Sequence, residues 1–533
     1  MSSTGVRPPT LATGGMVSAS HPAASLAGVR VLADGGNAID ATLAMAAMTW
    51  LTLPGQCGIG GDAFALVREP DGRVWSVNGS GYGPDGGTPD FYAAQGLSAI
   101  PLDGALAVAV PGAPAALAAL HAGGGTRPLT ELWEPAARGA ESGLACSART
   151  AGDVAAALTA IDADADLRAV YASTGAPPHV GTRLPQSELA ATIRGLARDP
   201  LSFYRGEFAQ RAVDALRAAG APFSGDEWTA GAQVAADGAI TGRYAGAVLH
   251  QTPLPTPGWM VLQQAALCDG VVGFSGWMSA DAVDRMARAA RLSFADRLAL
   301  CGSDNGGARD VLIPERLIAQ RRDLDDRCEL RAPIDVRAGD TTSTVAVDAE
   351  GRAVSFIHSL AFTFGAKFTV PGTGVVLNNR LGRGAYLIAG HPNEVAPRRK
   401  PLHTLNAWIV TDDAGELLHV GNTPGGDGQV QWNMQLLSHL LDHGLDPAEA
   451  VSAPRFTVFP GSDADVLDAP PELRVEETLA PAARDELAGA GHRVVVAPAL
   501  GAGGSAQIIS RDDRGLLSGA ADPRQEGIAL GVD

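Results

Sequence analysis

Alternating segments paired across tight turns, set between blocks of helical periodicity, predict an α+β sandwich and not a doubly wound parallel sheet. Three features carry this expectation. Residues 63–79 alternate on either side of Pro70-Asp71-Gly72, and residues 341–360 do so around Glu350-Gly351. Long stretches elsewhere repeat their apolar residues every three or four positions.

Taken in order, Ala24 to Leu53 has helical spacing broken by Gly35-Gly36, so two helices joined by a turn are expected, the second stopped by Pro54-Gly55. The segment GIGGD (58–62) then leads into a hairpin, AFALVRE, turn, RVWSVNG. From about Val110 to Leu330 the pattern is mainly helical, clearest at 112–121, 186–197, 209–218 and 281–300. The polar stretch RAPIDVRAGD (331–340) separates this layer from a second strand-rich region. There TSTVAVDA, a turn at Glu350-Gly351 and AVSFIHSL form a hairpin with Thr341 at its open end and Ser359 near the same end. A helix at about 429–443 and short strands from about Val494, SAQIIS among them, complete the chain.

With 533 residues, 46% hydrophobic and 18% charged, the chain can bury a large core. Forty basic against 58 acidic residues give a formal charge of −18, a field that repels phosphate backbones, so nucleic acid is not an expected partner. Five cysteines without CxxC spacing fit neither a disulfide framework nor a zinc knuckle, and point to a reducing compartment. The first residues carry no signal-peptide pattern and no stretch reaches the roughly 20 apolar residues of a spanning helix, so a cytoplasmic, membrane-free protein is expected.

Neither a cofactor nor a metal is expected. GIGGDA (58–63) and GAGGSA (501–506) fit GxGxxA, but both lead into strands, whereas a dinucleotide fingerprint opens a helix. His439 and His443 lie one helical turn apart without an acidic third ligand, and read as an exposed helix face. No GxSxG elbow occurs.

The chemistry gathers around GDTT (339–342). A threonine that opens a strand after a polar linker becomes an N-terminal nucleophile once the Asp340–Thr341 bond is broken, because the freed α-amine can take the proton of its own hydroxyl. By itself such a threonine is usually a β-branched strand former. Downstream, TPGGDGQ (423–429) sets Gly425 and Gly426 before a helix, where backbone N–H groups can face a developing oxyanion; a turn capped by Asp427 accounts for the same sequence.

From about residue 15 to residue 530 the chain resembles the γ-glutamyltransferase family. The matching segments are GGNAIDATLA (35–44), GIGGD (58–62), FYRGEFA (203–209), SFADR (293–297), GDTT (339–342), TGVVLNN (373–379), KPLHT (400–404), PGGD (424–427) and DPR (522–524). The resemblance implies a four-layer αββα fold of the Ntn-hydrolase type. It also implies self-cleavage into pieces 1–340 and 341–533, which stay together as a heterodimer. Thr341 would be the nucleophile and Ser359 the hydroxyl that supports the α-amine, with Gly425 and Gly426 as the oxyanion hole. Where the family usually has an asparagine two positions after that hydroxyl, Ala361 stands.

Departures from the family pattern bear on substrate. The arginine that binds a γ-glutamyl α-carboxylate is replaced by Ser80, and the acidic residue that holds the α-ammonium by Arg383, in RLGRG (380–384); a serine pair becomes His403-Thr404. A cation facing a cation disfavours glutathione. Arg380, Arg383, His358 and His403 instead suggest a pocket for a small anionic acyl group without an ammonium, since guanidinium binds carboxylate bidentately; both arginines on a solvated loop is the alternative. The variant motifs look like those of members that hydrolyse oxalyl-type amides such as oxamate. Other members, in alkylproline antibiotic pathways, remove an oxalyl-like group by C–C hydrolysis. A γ-glutamyl transferase with a rearranged clamp and a non-catalytic binding protein of the same fold are the rival expectations.

Overall fold

The computed structural model describes residues 7–234, 236–302, 310–325, 340–462 and 470–533. The linker expected at 331–339 and Cys328 lie outside them, and only the backbone of Asp340 is described.

Fourteen strands build two antiparallel sheets: β1 (Thr10–Ala12), β2 (Gly15–Ala19), β3 (Asp62–Arg68), β4 (Val74–Gly79), β5 (Ala236–Gly238), β6 (Ile240–Tyr244), β7 (Ala247–Gln251), β8 (Asp340–Val347), β9 (Ala353–Ala361), β10 (Ala407–Thr411), β11 (Leu417–Asn422), β12 (Gln507–Arg511), β13 (Leu517–Ala521) and β14 (Ile528–Val532). One sheet runs β14-β2-β8-β9-β3-β4-β5 and the other β1-β13-β12-β11-β10-β7-β6. Both expected hairpins form, β3/β4 and β8/β9, the second in a register centred on the turn at Glu350-Gly351. Strands β5 to β7 fall inside the stretch read as helical. At three to five residues each they are too short for periodicity to separate from their helical flanks.

Alternation along the strands divides their side chains between two cores. Val345, Val347, Ile357, Phe64 and Leu66 meet Ile409, Val420 and Ile509 between the sheets. Their neighbours Ala346, Phe356, Ala63 and Ala65 face a helical layer. That layer includes α1 (Pro22–Ala33), α2 (Ala38–Thr52) and α3 (Ala113–Gly124). On the far side α4 (Gly258–Cys268), α5 (Ala280–Leu300) and, after the short α6 (Arg380–Gly384), α7 (Gly428–Leu441) pack on Leu249, Trp408, Val410 and Ile508. The order is helix, sheet, sheet, helix: the four-layer αββα fold.

Local chemistry explains the layer nearest the site. Asn37 accepts the Ile39 and Asp40 N–H groups while the Asp40 carboxylate accepts that of Asn37, a capping box that starts α2. Every residue of α2 is buried, which is why its sequence is apolar on all sides. Cys57, Cys146, Cys268 and Cys301 are free and buried. No helix among the described residues is long and apolar enough to cross a membrane. His439, expected on an exposed face, is buried and accepts the Trp277 Nε1–H at 3.2 Å; burial drives its pKa down to about 3. Among the described residues no cluster of three or more His, Cys, Asp or Glu could hold a metal ion.

Candidate active site

The β8/β9 hairpin keeps one register from Val347↔Ala353 to Thr342↔His358 and then slips, so that Asp340 pairs with Ala361. Two residues of β8 therefore step past three of β9, a bulge at the end of the hairpin. Beside it the Thr341 hydroxyl donates to Ser359 Oγ at 3.2 Å, and Ser359 Oγ also accepts the Ala361 N–H at 2.8 Å. Both hydroxyls are buried.

Ala361 has φ 87°, a left-handed conformation that costs an alanine energy and persists only where neighbours impose it. They do so here from α6 and the residue before it. Arg383 Nη1 donates to the Ala361 carbonyl at 2.9 Å, and Asn379 Oδ1 accepts the Phe362 N–H at 3.0 Å. The Arg383 guanidinium lies 4.3 Å above the centre of the Phe362 ring. Asn379 and Arg383 thus hold the backbone at Ala361 and Phe362, next to the Ser359 hydroxyl.

Across the next strand pair, Ser359 stands opposite Asp62, so the two side chains share the inter-sheet face. Asp62 has no exposed surface. Its Oδ2 accepts from Arg380 Nε at 2.7 Å and from His403 Nε2 at 3.1 Å, and its Oδ1 accepts the Gly81 N–H at 2.8 Å. Burial alone would push the Asp62 carboxyl up, but Arg380 and His403 together outweigh it and hold it at about 2. His403 is pulled down to about 3 by burial, reinforced by Arg380 against the opposing carboxylate. The imidazole is therefore neutral, with Nε2–H on Asp62 and Nδ1 left as an acceptor without a partner among the described residues. Thr404 Oγ1, next in the chain, is also buried without a partner among the described residues. Ser80 adjoins the cluster, its hydroxyl on the Gly81 carbonyl at 3.2 Å.

The expected site residues thus separate into those brought together and those not. Thr341, Ser359, Ser80, Arg380 and His403 converge on one face, and Arg383 reaches it through Ala361. The two arginines are not on a solvated loop: both are buried, and Arg380 is already paired with Asp62. His358 faces the other way. Its Nε2 meets Thr49 Oγ1 of α2 at 3.0 Å, on the helical side of the sheet, because residues 358 and 359 of a strand must point to opposite faces. Burial drives the His358 pKa to about 3, so it is a neutral core histidine and not part of a pocket. Asp62 is the residue that sequence reasoning missed. It closes GIGGD, a segment read for its glycines, and nothing in the local sequence ties it to an arginine 318 positions later.

Gly425 and Gly426 form the turn between β11 and α7, with φ 131° and 59°. They lie at the same end of the sandwich as Thr341: Ser343 Oγ donates to the Ser505 carbonyl at 3.2 Å, and a Cβ on neighbouring Gly504 would stand 2.9 Å from Thr423 Oγ1. Asp427 starts α7 but makes no side-chain cap; its carboxylate instead accepts the Ser462 N–H and hydroxyl. The turn is consequently not explained by capping.

A family profile described as Gamma-glutamyltranspeptidase matches residues 24–532. The oxamate amidohydrolase proenzyme of Klebsiella pneumoniae subsp. pneumoniae is 33% identical over 534 residues, covering 98% of this chain and 99% of its own length. The glutathione hydrolase-like YwrD proenzyme of Bacillus subtilis is 32% identical over 536 residues, covering 97% and 98%. Among solved structures, a cephalosporin acylase from Bacillus halodurans superposes with a TM-score of 0.91 at 29% identity, covering 100% of this chain and 98% of that one.

Proposed function

The chain belongs to the gamma-glutamyltranspeptidase family, a family of N-terminal-nucleophile hydrolases, and we propose that Thr341 is its nucleophile, released when the chain cuts itself between Asp340 and Thr341. The observation that carries the proposal is the Thr341 hydroxyl held on Ser359 at the bulged end of the β8/β9 hairpin. In the intact chain Thr341 Oγ1 attacks the Asp340 carbonyl carbon. The C–N bond breaks as the nitrogen gains a proton, leaving an ester; water then hydrolyses it to the Asp340 carboxylate and a free Thr341 with its α-amine. Pieces 1–340 and 341–533 result.

As in other hydrolases and acylases of the family, turnover passes through an acyl-enzyme. The α-amine takes the hydroxyl proton as Oγ1 attacks the substrate carbonyl and passes it to the leaving group. The N–H groups of Gly425 and Gly426 meet the oxyanion, and water releases the acid.

The substrate we propose is a small acyl amide that carries one carboxylate and no ammonium, of the oxalyl type. The relative that acts on oxamate supports this, as does the absence of an anion at position 383 to hold an ammonium. The substrate carboxylate is assigned to the buried Arg383 guanidinium, with the Thr404 hydroxyl as a polar neighbour. The test is mass spectrometry of the expressed protein, then turnover of γ-glutamyl, oxalyl and succinyl amides and of an oxalyl group bound through carbon. Two fragments, the smaller starting at Thr341, and turnover of oxalyl amides are expected. Thr341→Ala should give one intact mass and no turnover. A wild-type enzyme active while still uncut removes the proposal, and preference for γ-glutamyl amides removes the substrate assignment.

A further inference from the structure

We infer that Gln56 is a positioning residue for Thr341, its side-chain amide held by Arg149 and Gln525 so as to fix the carbonyl of the nucleophile. The inference rests on the reading of Thr341 given above.

A bulge releases backbone groups from the ladder, and buried groups so released need other partners. At the β8/β9 bulge one residue takes one from each strand. The Gln56 carbonyl accepts the Leu360 N–H at 3.1 Å, beside Ser359. In the amide orientation that satisfies both ends of its side chain, Gln56 Nε2 donates to the Thr341 carbonyl at 3.0 Å and to Thr342 Oγ1 at 3.2 Å. The amide oxygen accepts from Arg149 Nε at 3.0 Å, Arg149 Nη2 at 3.2 Å and Gln525 Nε2 at 3.3 Å. Gln56 is completely buried, so water cannot substitute for it. Arg149 is itself tied to Asp153 at 2.8 Å along the helix Ala148–Ala163.

Holding the carbonyl fixes rotation about the Cα–C bond of Thr341, and with it the direction in which the hydroxyl and amine leave the strand. Near-attack geometry tolerates little error. The contact matters more after cleavage than before. Once the Asp340–Thr341 bond is gone, Thr341 is a chain end joined covalently only through its carbonyl, and the Gln56 side chain meets that carbonyl. The grip also spans the cut, since Gln56 and Arg149 precede it and Gln525 follows it.

Gln56→Met keeps the volume and removes the donor. Self-cleavage, followed by the appearance of the small fragment on denaturing gels, needs no substrate and should slow about tenfold, the effect assigned to the lost bond on the Thr341 carbonyl. In the mature enzyme kcat on the amide selected by the screen above should fall similarly with KM unchanged within about twofold. A purely structural role would lower Tm instead, so the same substitution in a Thr341→Ala background, which stays uncut, should leave Tm within about 3 °C. Arg149→Gln, at a partly exposed side chain, loosens the grip without emptying a buried site and should slow self-cleavage about threefold. Wild-type rates in both variants overturn the inference while leaving the proposed function standing. A wild-type chain that never cuts itself overturns both.

Discussion

Asp62 carries the charge balance of the site. Its carboxylate meets Arg380 in a place with no exposed surface, and removing one charge of a buried pair is costly. Asp62→Asn should therefore cost about 3–5 kcal/mol of unfolding free energy, read as a lowered denaturant midpoint; a loss below about 1 kcal/mol would show that Arg380 does not depend on Asp62. The same residues set a pH dependence. Asp62 lies at about 2 against an ordinary 3.8, and His358, His403 and His439 at about 3 against 6.5. In each case the folded value is the lower, so the unfolded chain takes up protons first as pH falls. Their contribution is complete above 6.5 and drains away through the interval from 6.5 to about 3 for the histidines, and from 3.8 to about 2 for Asp62. Tm should drop steadily between about pH 7.5 and about pH 4.5, and a flat profile there would contradict the buried neutral imidazoles.

Among the elements, the turn between β11 and α7 has the least freedom. A Cβ on Gly425 would stand 2.0 Å from Trp432 Cζ3, at φ 131°. Trp432 cannot retreat easily: its Nε1 donates to Thr457 Oγ1 at 2.9 Å and Arg455 lies over its ring. Gly425→Ala must shift the backbone, and we expect turnover to fall by about a hundredfold or more as the proposed oxyanion donors move. Full activity in this variant would exclude Gly425 from the oxyanion hole. The β8/β9 hairpin shows how far sequence reaches at this scale. Its turn at Glu350-Gly351 already sets Thr341 and Ser359 near the same open end, and strand alternation already forbids His358 and Ser359 from lining one pocket. The bulge that follows was not legible, because a single added residue leaves no mark on the pattern of polar and apolar positions.

For the molecule as a whole, five strand pairings join the proposed pieces: β14-β2, β2-β8, β9-β3, β1-β13 and β10-β7. Strand β8 lies inside its sheet with a pre-cut neighbour on one side, and both sheets mix strands from either side of position 340. Separating the pieces would expose both cores. The cut enzyme should elute from gel filtration as one particle that contains both fragments, and release them only in denaturant; separate elution without denaturant would mean that the sheets do not survive the cut.

Periodicity, turn residues and the spacing of a few motifs determined the layer types, the two hairpins, the threonine at the head of β8 and the family. These are properties of short stretches, in which neighbours along the chain decide the outcome. Tertiary structure alone decided that Asp62, Arg380 and His403 form one cluster, that Asn379 and Arg383 hold the backbone at Ala361 and Phe362, and that the Gln56 amide meets the Thr341 carbonyl. Those contacts join residues from 17 to 341 positions apart. They are set by the order of strands in a sheet and by what each face then meets, and neither is a function of local sequence.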